Sequence, residues 1–308
     1  MVRLDGRAAL PAEFASGIVA LGNFDGFHGG HQAVVGRAIE RARAAGLPAI
    51  VATFDPHPVR YFKPDTPPFR LTSLDQREAL FGAAGADAML VYSFDASLAA
   101  LSAHDFAREK LSGLSAVITG EDFTFGNQRS GNVAVLAELG VRFGFTTEAV
   151  APVAMRGETI SSSRIRAALQ AGDCDTATRL LTRPFAIEGI VEHGAKLGRT
   201  IGYPTANIIL GNYLRPRYGI YAVRVRLADG RVVDGAANIG IRPSFDPPIE
   251  LLEAFLFDFD EQLYDQRIEV ELIAFLRPEA KFNDLDGLVT QMDKDCATAR
   301  KLLGPQTL

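Results

Sequence analysis

The hydrophobic period of the chain changes near residue 184, and this change limits the possible folds more than any other feature of the sequence. Before it, short apolar runs alternate with segments of helical period. Ile18-Val19-Ala20-Leu21 is a buried-strand candidate. His31 to Ala45 follows, with Val34, Val35, Ala38, Ile39 and Ala42 at helical spacing and Gly46 as a stop. Pro48 to Phe54, Ala88 to Tyr92 and Ala116 to Thr119 read as further strands. Ser73-Leu74-Asp75-Gln76 reads as a capping box before a helix, and Ser102 to Leu111 starts like a capped helix. Alternating strands and helices imply a parallel sheet with crossover connections. Beyond the seam the period falls to two. Ile220 to Leu227 ends in strict alternation, Ala228-Asp229-Gly230 is a hairpin turn, and Arg231 to Ile239 returns. Leu251 to Asp258 and Arg267 to Phe275 are two more strands, and Asp284 to Leu303 reads as a long helix. The expectation is an antiparallel sheet or barrel with one terminal helix. Residues 172–186 read as the connection, ending at Thr182-Arg183-Pro184, which gives domains 1–183 and 184–308.

A length of 308 residues suits two domains, and 47% hydrophobic content supplies a core for each. No stretch of about 18 apolar residues occurs, so no membrane partner is expected. Met1 to Gly6 lacks the basic-then-apolar pattern of a secretory signal. The two cysteines, Cys174 and Cys296, are too few for a disulfide framework or a cysteine-rich zinc site. A reducing cytoplasm is the expected location. Net charge is −5, and neither half carries a basic field, which argues against a nucleic-acid partner. Nothing in the sequence speaks to oligomeric state.

Three of the five histidines follow strands of the first half. Gly22-Asn23-Phe24-Asp25-Gly26-Phe27-His28-Gly29-Gly30-His31 links the first strand to the first helix, and His57 lies in Thr53-Phe54-Asp55-Pro56-His57-Pro58 after the second. In an open parallel sheet, ligands bind at this carboxyl edge. A helix starting near His31 offers free N–H groups and a positive dipole end to a phosphate. On spacing alone, His28 and His31 also fit a metal pair, or solvated side chains in a glycine-rich turn. The third histidine at the same edge favours ligand handling. The pattern resembles the nucleotidyltransferase superfamily, whose H-x-G-H signature is matched by His28-Gly29-Gly30-His31. Gly120-Glu121-Asp122-Phe123-Thr124-Phe125-Gly126 and Ile160-Ser161-Ser162-Ser163-Arg164-Ile165-Arg166 are similar to further segments of that family. Hydroxyls and arginines at a helix start suit the β- and γ-phosphates of a nucleotide, although a serine cap with two solvated arginines gives the same pattern.

The second constellation runs from Gly189 to Asn207 and is dense in glycine and polar groups. It is not a P-loop. Thr205 and Asn207 offer oxygen atoms suited to a hard cation such as Mg²⁺. The segment resembles the riboflavin kinase signature G-x-V-x-H-G-x-x-x-G-R-x-x-G-x-P-T-A-N. Asn238-Ile239-Gly240-Ile241-Arg242-Pro243-Ser244, the strand around Glu253, and Leu276-Arg277-Pro278-Glu279 are similar to later segments of the same family. By itself Glu253 is a strand carboxylate that would face solvent or be paired.

Together the two resemblances run from about Ile18 to Leu303, and the whole is similar to the bacterial bifunctional riboflavin kinase/FMN adenylyltransferase (FAD synthetase) family. The resemblance implies a Rossmann-like nucleotidyltransferase fold followed by a Greek-key β-barrel with a terminal helix. It implies ATP and Mg²⁺ as requirements, and riboflavin, FMN and FAD as substrates and products. His28 and His31 are expected to stabilise the α-phosphoryl oxygens, with Gly22, Asn23, Phe24, Asp25 and Gly26 around the nucleotide. Ser162, Ser163, Arg164 and Arg166 are expected to hold pyrophosphate. Phe54, Asp55, His57, Phe62, Asp122 and Phe125 are the flavin-site candidates, and Arg277 is the flavin contact of the second module. There, Gly194, Lys196, Gly198, Arg199, Gly202, Pro204, Thr205 and Asn207 would bind Mg·ATP, and Glu253 would act as general base. Two rivals are a nucleotidyltransferase making another dinucleotide on a degenerate barrel, and a non-enzymatic flavin-binding protein. Intact Pro204-Thr205-Ala206-Asn207 and Glu253 oppose the first, and retention of the charged groups opposes the second.

Overall fold

The computed structural model describes residues 1–193, 202–242 and 249–304. Contacts divide the chain into two units. One contains residues 1–67 and 73–161, and the other residues 68–72 and 162–308. This division falls before the expected seam at residue 184, because the helix opened by Ser162, expected in the first domain, and a helix within the stretch expected as a connection both group with the second unit.

The first unit contains β1 (Val2–Asp5), β2 (Ile18–Leu21), α1 (Gly29–Ala45), β3 (Ala49–Asp55), α2 (Pro58–Phe62), α3 (Leu74–Ala84), β4 (Ala88–Ser93), α4 (Ala96–Ala100), α5 (Ala103–Phe106), β5 (Ala116–Gly120), α6 (Val133–Phe143), β6 (Thr146–Val150), and a small ribbon of β7 (Ala154–Met155) and β8 (Glu158–Thr159). Six strands form one parallel sheet in the order β1-β4-β3-β2-β5-β6. Its central strands are apolar on both faces, as sheets covered on two sides must be. Ile18, Ala20, Ala49 and Val51 pack under α1 and α3, while Val19, Leu21, Ile50 and Ala52 pack on the other side with Phe106, Leu111 and Leu136. The Ser73–Gln76 capping box is present with both reciprocal bonds. The helix expected over Ser102–Leu111 is α5, which continues as a π turn over Ala107–Leu111.

The second unit contains α7 (Ser162–Ala171), α8 (Cys174–Leu181), β9 (Phe185–Ile190), β10 (Thr205–Ile209), β11 (Gly219–Arg226), β12 (Val232–Arg242), β13 (Ile249–Leu256), β14 (Arg267–Arg277) and α9 (Leu285–Leu303). Residues 172–186, read above as a connection, hold α8. Asp173 caps it, and Cys174, Ala177, Leu180 and Leu181 form a buried stripe at helical spacing. The sheet is antiparallel throughout, in the order β10-β13-β12-β11-β14-β9. Three hairpin-linked strands with β10 returning beside the third give the Greek-key arrangement. The two ends of this order meet. Glu192 pairs with Asn207, and a Cβ on Gly189 would collide with Ile208 Cγ2. Glycine at 189 therefore permits the barrel to close. Ile187, Ile208, Val223, Ile239, Leu252, Val270 and Leu272 are fully buried. On the opposite face α9 packs Ala299 and Leu303 against Ala222, Ala236 and Phe257.

Candidate active sites

The first site lies at the carboxyl edge of the parallel sheet. β2 pairs with β3 on one side and β5 on the other, and the strand order reverses about it. Crevices form at such a reversal. The loop from Gly22 to His28 leaves β2 there, and its Phe24, Asp25 and His28 are buried. Phe24 anchors the loop, with its ring meeting Phe81 of α3 edge-on at 6.0 Å and His31 at 5.4 Å. His28 is the N-cap of α1, and its Nδ1 accepts from the His31 backbone N–H at 3.3 Å. An imidazole that accepts at Nδ1 carries its proton on Nε2, so His28 presents an N–H donor. The His28 and His31 rings stack at 3.6 Å between centroids, 18° from parallel. A Cβ on Gly30, the second of the two glycines between the histidines, would come within 3.1 Å of the His28 ring, a tight contact that glycine avoids. The helix begins at Gly29, two residues before the expected start, and this puts His28 at its cap and His31 in its first turn. Both lie at the positive dipole end, suited to anions.

Asp55 ends β3, the Asp55–Pro56 bond is cis, and His57 caps α2 by accepting from Val59 N–H at Nδ1. Phe62 is exposed, and its ring meets Tyr61 at 5.1 Å and Phe94 at 5.6 Å. Phe54 and Phe125, by contrast, are buried core rings, packed on Tyr92 and Phe106 respectively. Asp122 is exposed just after β5. Phe94 carries no motif in the sequence, yet it touches Phe54, Tyr61 and Phe62. Ser162, Ser163, Arg164 and Arg166 open α7 in the second unit, where Arg166 Nε donates to the Phe69 carbonyl at 2.8 Å.

The second site is a row across three strands of the barrel. Glu253 of β13 stands opposite Asn207 of β10 on one side and Asn238 of β12 on the other. Strand alternation puts Thr205 on the same face as Asn207. Asn207 is buried, and its Nδ2 donates to the Thr205 carbonyl at 3.4 Å. Asn238 Oδ1 is buried and has no hydrogen-bond partner among the described residues, while its Nδ2 donates to Glu279 Oε1 at 3.2 Å. Arg242 pairs with Glu253. Burial holds Arg242 below its ordinary value, and Glu279 acts against that shift. Tyr203 donates its hydroxyl to Asp293 of α9 and lays its ring 4.9 Å from Phe255, fixing the chain just ahead of exposed Pro204. Burial and Asp293 together push the Tyr203 hydroxyl up. Arg277 is gripped by Asp295, with contacts of 2.7 to 3.1 Å, and its plane lies over Phe282. Gly202 is exposed with φ 85°. Gly194, Lys196, Gly198, Arg199 and Ser244 lie outside the described residues. Asn238, Arg242 and Glu279 are not among the site candidates of the sequence; strand register brings Asn238 beside Glu253, Arg242 reaches Glu253 by an ion pair, and Glu279, past the end of β14, reaches Asn238.

The family model described as FAD synthetase matches residues 11–164, and the one described as riboflavin kinase matches residues 181–303. A relative from Pseudomonas fluorescens named bifunctional riboflavin kinase/FMN adenylyltransferase is 42% identical over 292 residues, covering 94% of this chain and 93% of its own. Its namesake from Escherichia coli K12 is 38% identical, with 93% of both chains covered. A solved structure titled a macrolide-efflux protein, from Streptococcus pneumoniae, superimposes with a TM-score of 0.84 at 29% identity, covering 96% of this chain and 97% of that one.

Proposed function

The chain belongs to the bifunctional riboflavin kinase/FMN adenylyltransferase family, and from that premise we infer how its residues divide two reactions. Riboflavin and ATP give FMN and ADP, and FMN and ATP give FAD and pyrophosphate. The FAD synthetase segment comes first and the riboflavin kinase segment second. We assign adenylyl transfer to residues 1–183 and phosphorylation to residues 184–308.

In adenylyl transfer an FMN phosphate oxygen attacks the α-phosphorus of ATP, and pyrophosphate leaves. No covalent nucleophile from the protein is invoked. The stacked His28–His31 pair at the start of α1 carries this reading. Its N–H donors, with the helix dipole, stabilise charge developing on the α-phosphoryl oxygens. Asn23, Asp25, Asp55 and His57 line the same strand edge and would seat the substrates. Exposed Phe62 is the ring available to stack on the isoalloxazine, whereas Phe54 and Phe125 would act as its packed backing. Ser162, Ser163, Arg164 and Arg166 would hold the departing pyrophosphate.

In phosphorylation, Glu253 takes the proton from the ribityl 5′-hydroxyl as that oxygen attacks the γ-phosphorus. The row Asn207–Glu253–Asn238 carries this reading. Its oxygen donors, including the buried Asn238 Oδ1, fit a hard divalent cation. Thr205 and Asn207 would hold Mg²⁺, which when bound neutralises charge on the ATP phosphates. Release of Glu253 from Arg242 would accompany riboflavin binding. With its N–H groups engaged by Asp295, Arg277 would offer the flavin its exposed side as a wall.

Incubation of the full chain with riboflavin, ATP and Mg²⁺, followed by chromatography of the flavins, tests the whole reading. The expected result is FMN, then FAD. His28→Ala combined with His31→Ala should stop at FMN, since losing one such donor costs about 10²–10³ in rate. Equal loss of both products in that variant would remove the assignment of the histidines to the second reaction.

A further inference from the structure

Arg77 is 4% exposed on α3, a helix whose other buried residues are Gln76 and Phe81. A helix that merely covers a sheet places apolar groups at such positions, and a guanidinium is taken out of water only where acceptors meet its fork. Here they do. Nη1 donates to Thr53 Oγ1 at 2.8 Å and to the Asn23 carbonyl at 3.2 Å. Thr53, itself fully buried, donates its hydroxyl to that same carbonyl at 2.8 Å. Nη2 lies 3.7 Å from Asp55 Oδ1, and Nε reaches back to the Ser73 carbonyl at 3.4 Å. One planar group thus joins the ends of β2 and β3. Asn23 opens the segment that leads to His28 and His31, and Asp55 opens the turn that carries His57. With the Asn23 carbonyl held twice, its side-chain Oδ1 is left buried with no hydrogen-bond partner among the described residues.

We propose that Arg77 is a positioning residue for adenylyl transfer, setting the spacing between the Asn23–His31 loop and the Asp55–His57 turn through Thr53. The proposal rests on the assignment of adenylyl transfer to that loop. Lysine keeps the charge and one donor nitrogen but lacks the separate nitrogens that reach Asp55 and the Ser73 carbonyl, and methionine lacks charge and donors alike.

The test uses the full chain as Arg77→Lys, Arg77→Met, Thr53→Val and the double variant Thr53→Val/Arg77→Lys, with His28→Ala as reference. FMN-to-FAD kinetics are measured beside riboflavin phosphorylation and thermal melting. The kcat for FAD formation should fall about 10-fold in Arg77→Lys and about 100-fold in Arg77→Met, the cost of small misplacements at a reacting centre. KM for ATP and for FMN should stay within about twofold, the pattern of a loss felt in the transition state. Phosphorylation should stay at the parental rate. The double variant should be no slower than its slower parent, because both changes cut the same link. Parental kcat in Arg77→Met, a loss confined to KM, or a loss shared equally by phosphorylation would overturn the proposal. Should Arg77→Met not fold, Thr53→Val is judged by the same criteria. If His28→Ala still makes FAD at the parental rate, the loop assignment fails and Arg77 with it. If His28→Ala loses FAD formation while Arg77→Met keeps the parental kcat, only the Arg77 proposal fails.

Discussion

At the residue scale, Glu253 is where the proposed phosphorylation chemistry and strand register meet. As a lone carboxylate on a strand it reads as a solvent-facing or paired group, and only the family resemblance marks it. Asn207 is a candidate from its own motif and Asn238 lies in a matched segment, but their place beside Glu253 is hidden in the sequence. Asn238 and Asn207 lie far from Glu253 in the chain and become its flanks only when β10, β13 and β12 pair in register. Glu253→Gln keeps the shape of the side chain and removes the carboxylate proposed above as the base. It should slow riboflavin phosphorylation roughly 10²–10⁴-fold. Supplied with FMN directly, the same variant should make FAD at the parental rate. Two parallel assays, one fed riboflavin and one fed FMN, check this. Survival of the riboflavin reaction would return Glu253 to the status of an ordinary strand carboxylate.

At the element scale, the connection between β10 and β11 is tied down by one carboxylate. Glu250 of β13 accepts from Arg215 Nε at 2.7 Å and from the Tyr218 hydroxyl. Arg215 draws Glu250 below its ordinary value, and burial with Glu250 pushes Tyr218 up to about 12. A tyrosine raised on folding stabilises the fold below its unfolded value near 10, and that contribution fades as pH climbs from about 10 to about 12. Tyr218→Phe should therefore lower the urea midpoint at pH 8, and the gap to the parent should close across that alkaline window. A gap that persists unchanged above pH 12 would mean the hydroxyl contributes by packing alone. Elements with strong local signals are legible in the sequence: β2, α1 with its glycine stop, the Ser73 capping box, and the β11–β12 hairpin. Helix α8 is harder to find although its apolar stripe is present, because Thr182-Arg183-Pro184 makes that stretch look like a connection. β6, with a half-exposed burial pattern, offers no period to find.

At the scale of the whole molecule, two domains and their order can be read from the change of period, but not the way α7 and α8 pack. Their apolar stripes give no indication of which core receives them. They join the barrel unit, where Cys174, Ala177, Leu180 and Leu181 are buried. A fragment starting at Ser162 should thus be more stable than one starting at Pro184. Each buried leucine side chain is worth about 1.5–3 kcal/mol. Both should phosphorylate riboflavin, and their urea midpoints compare them directly. Equal midpoints would make α8 dispensable to the barrel. The sheet orders carry a further implication for synthesis. All strands of the parallel sheet have been made by Val150, whereas the barrel waits for β14, which ends at Arg277, and the Glu253 row cannot assemble before β13. Domains fold in the order in which they leave the ribosome. A growing chain therefore completes the framework for the last step of flavin maturation while the catalyst for the first is still unwritten, so that translation runs through this enzyme in the opposite direction to its own metabolism.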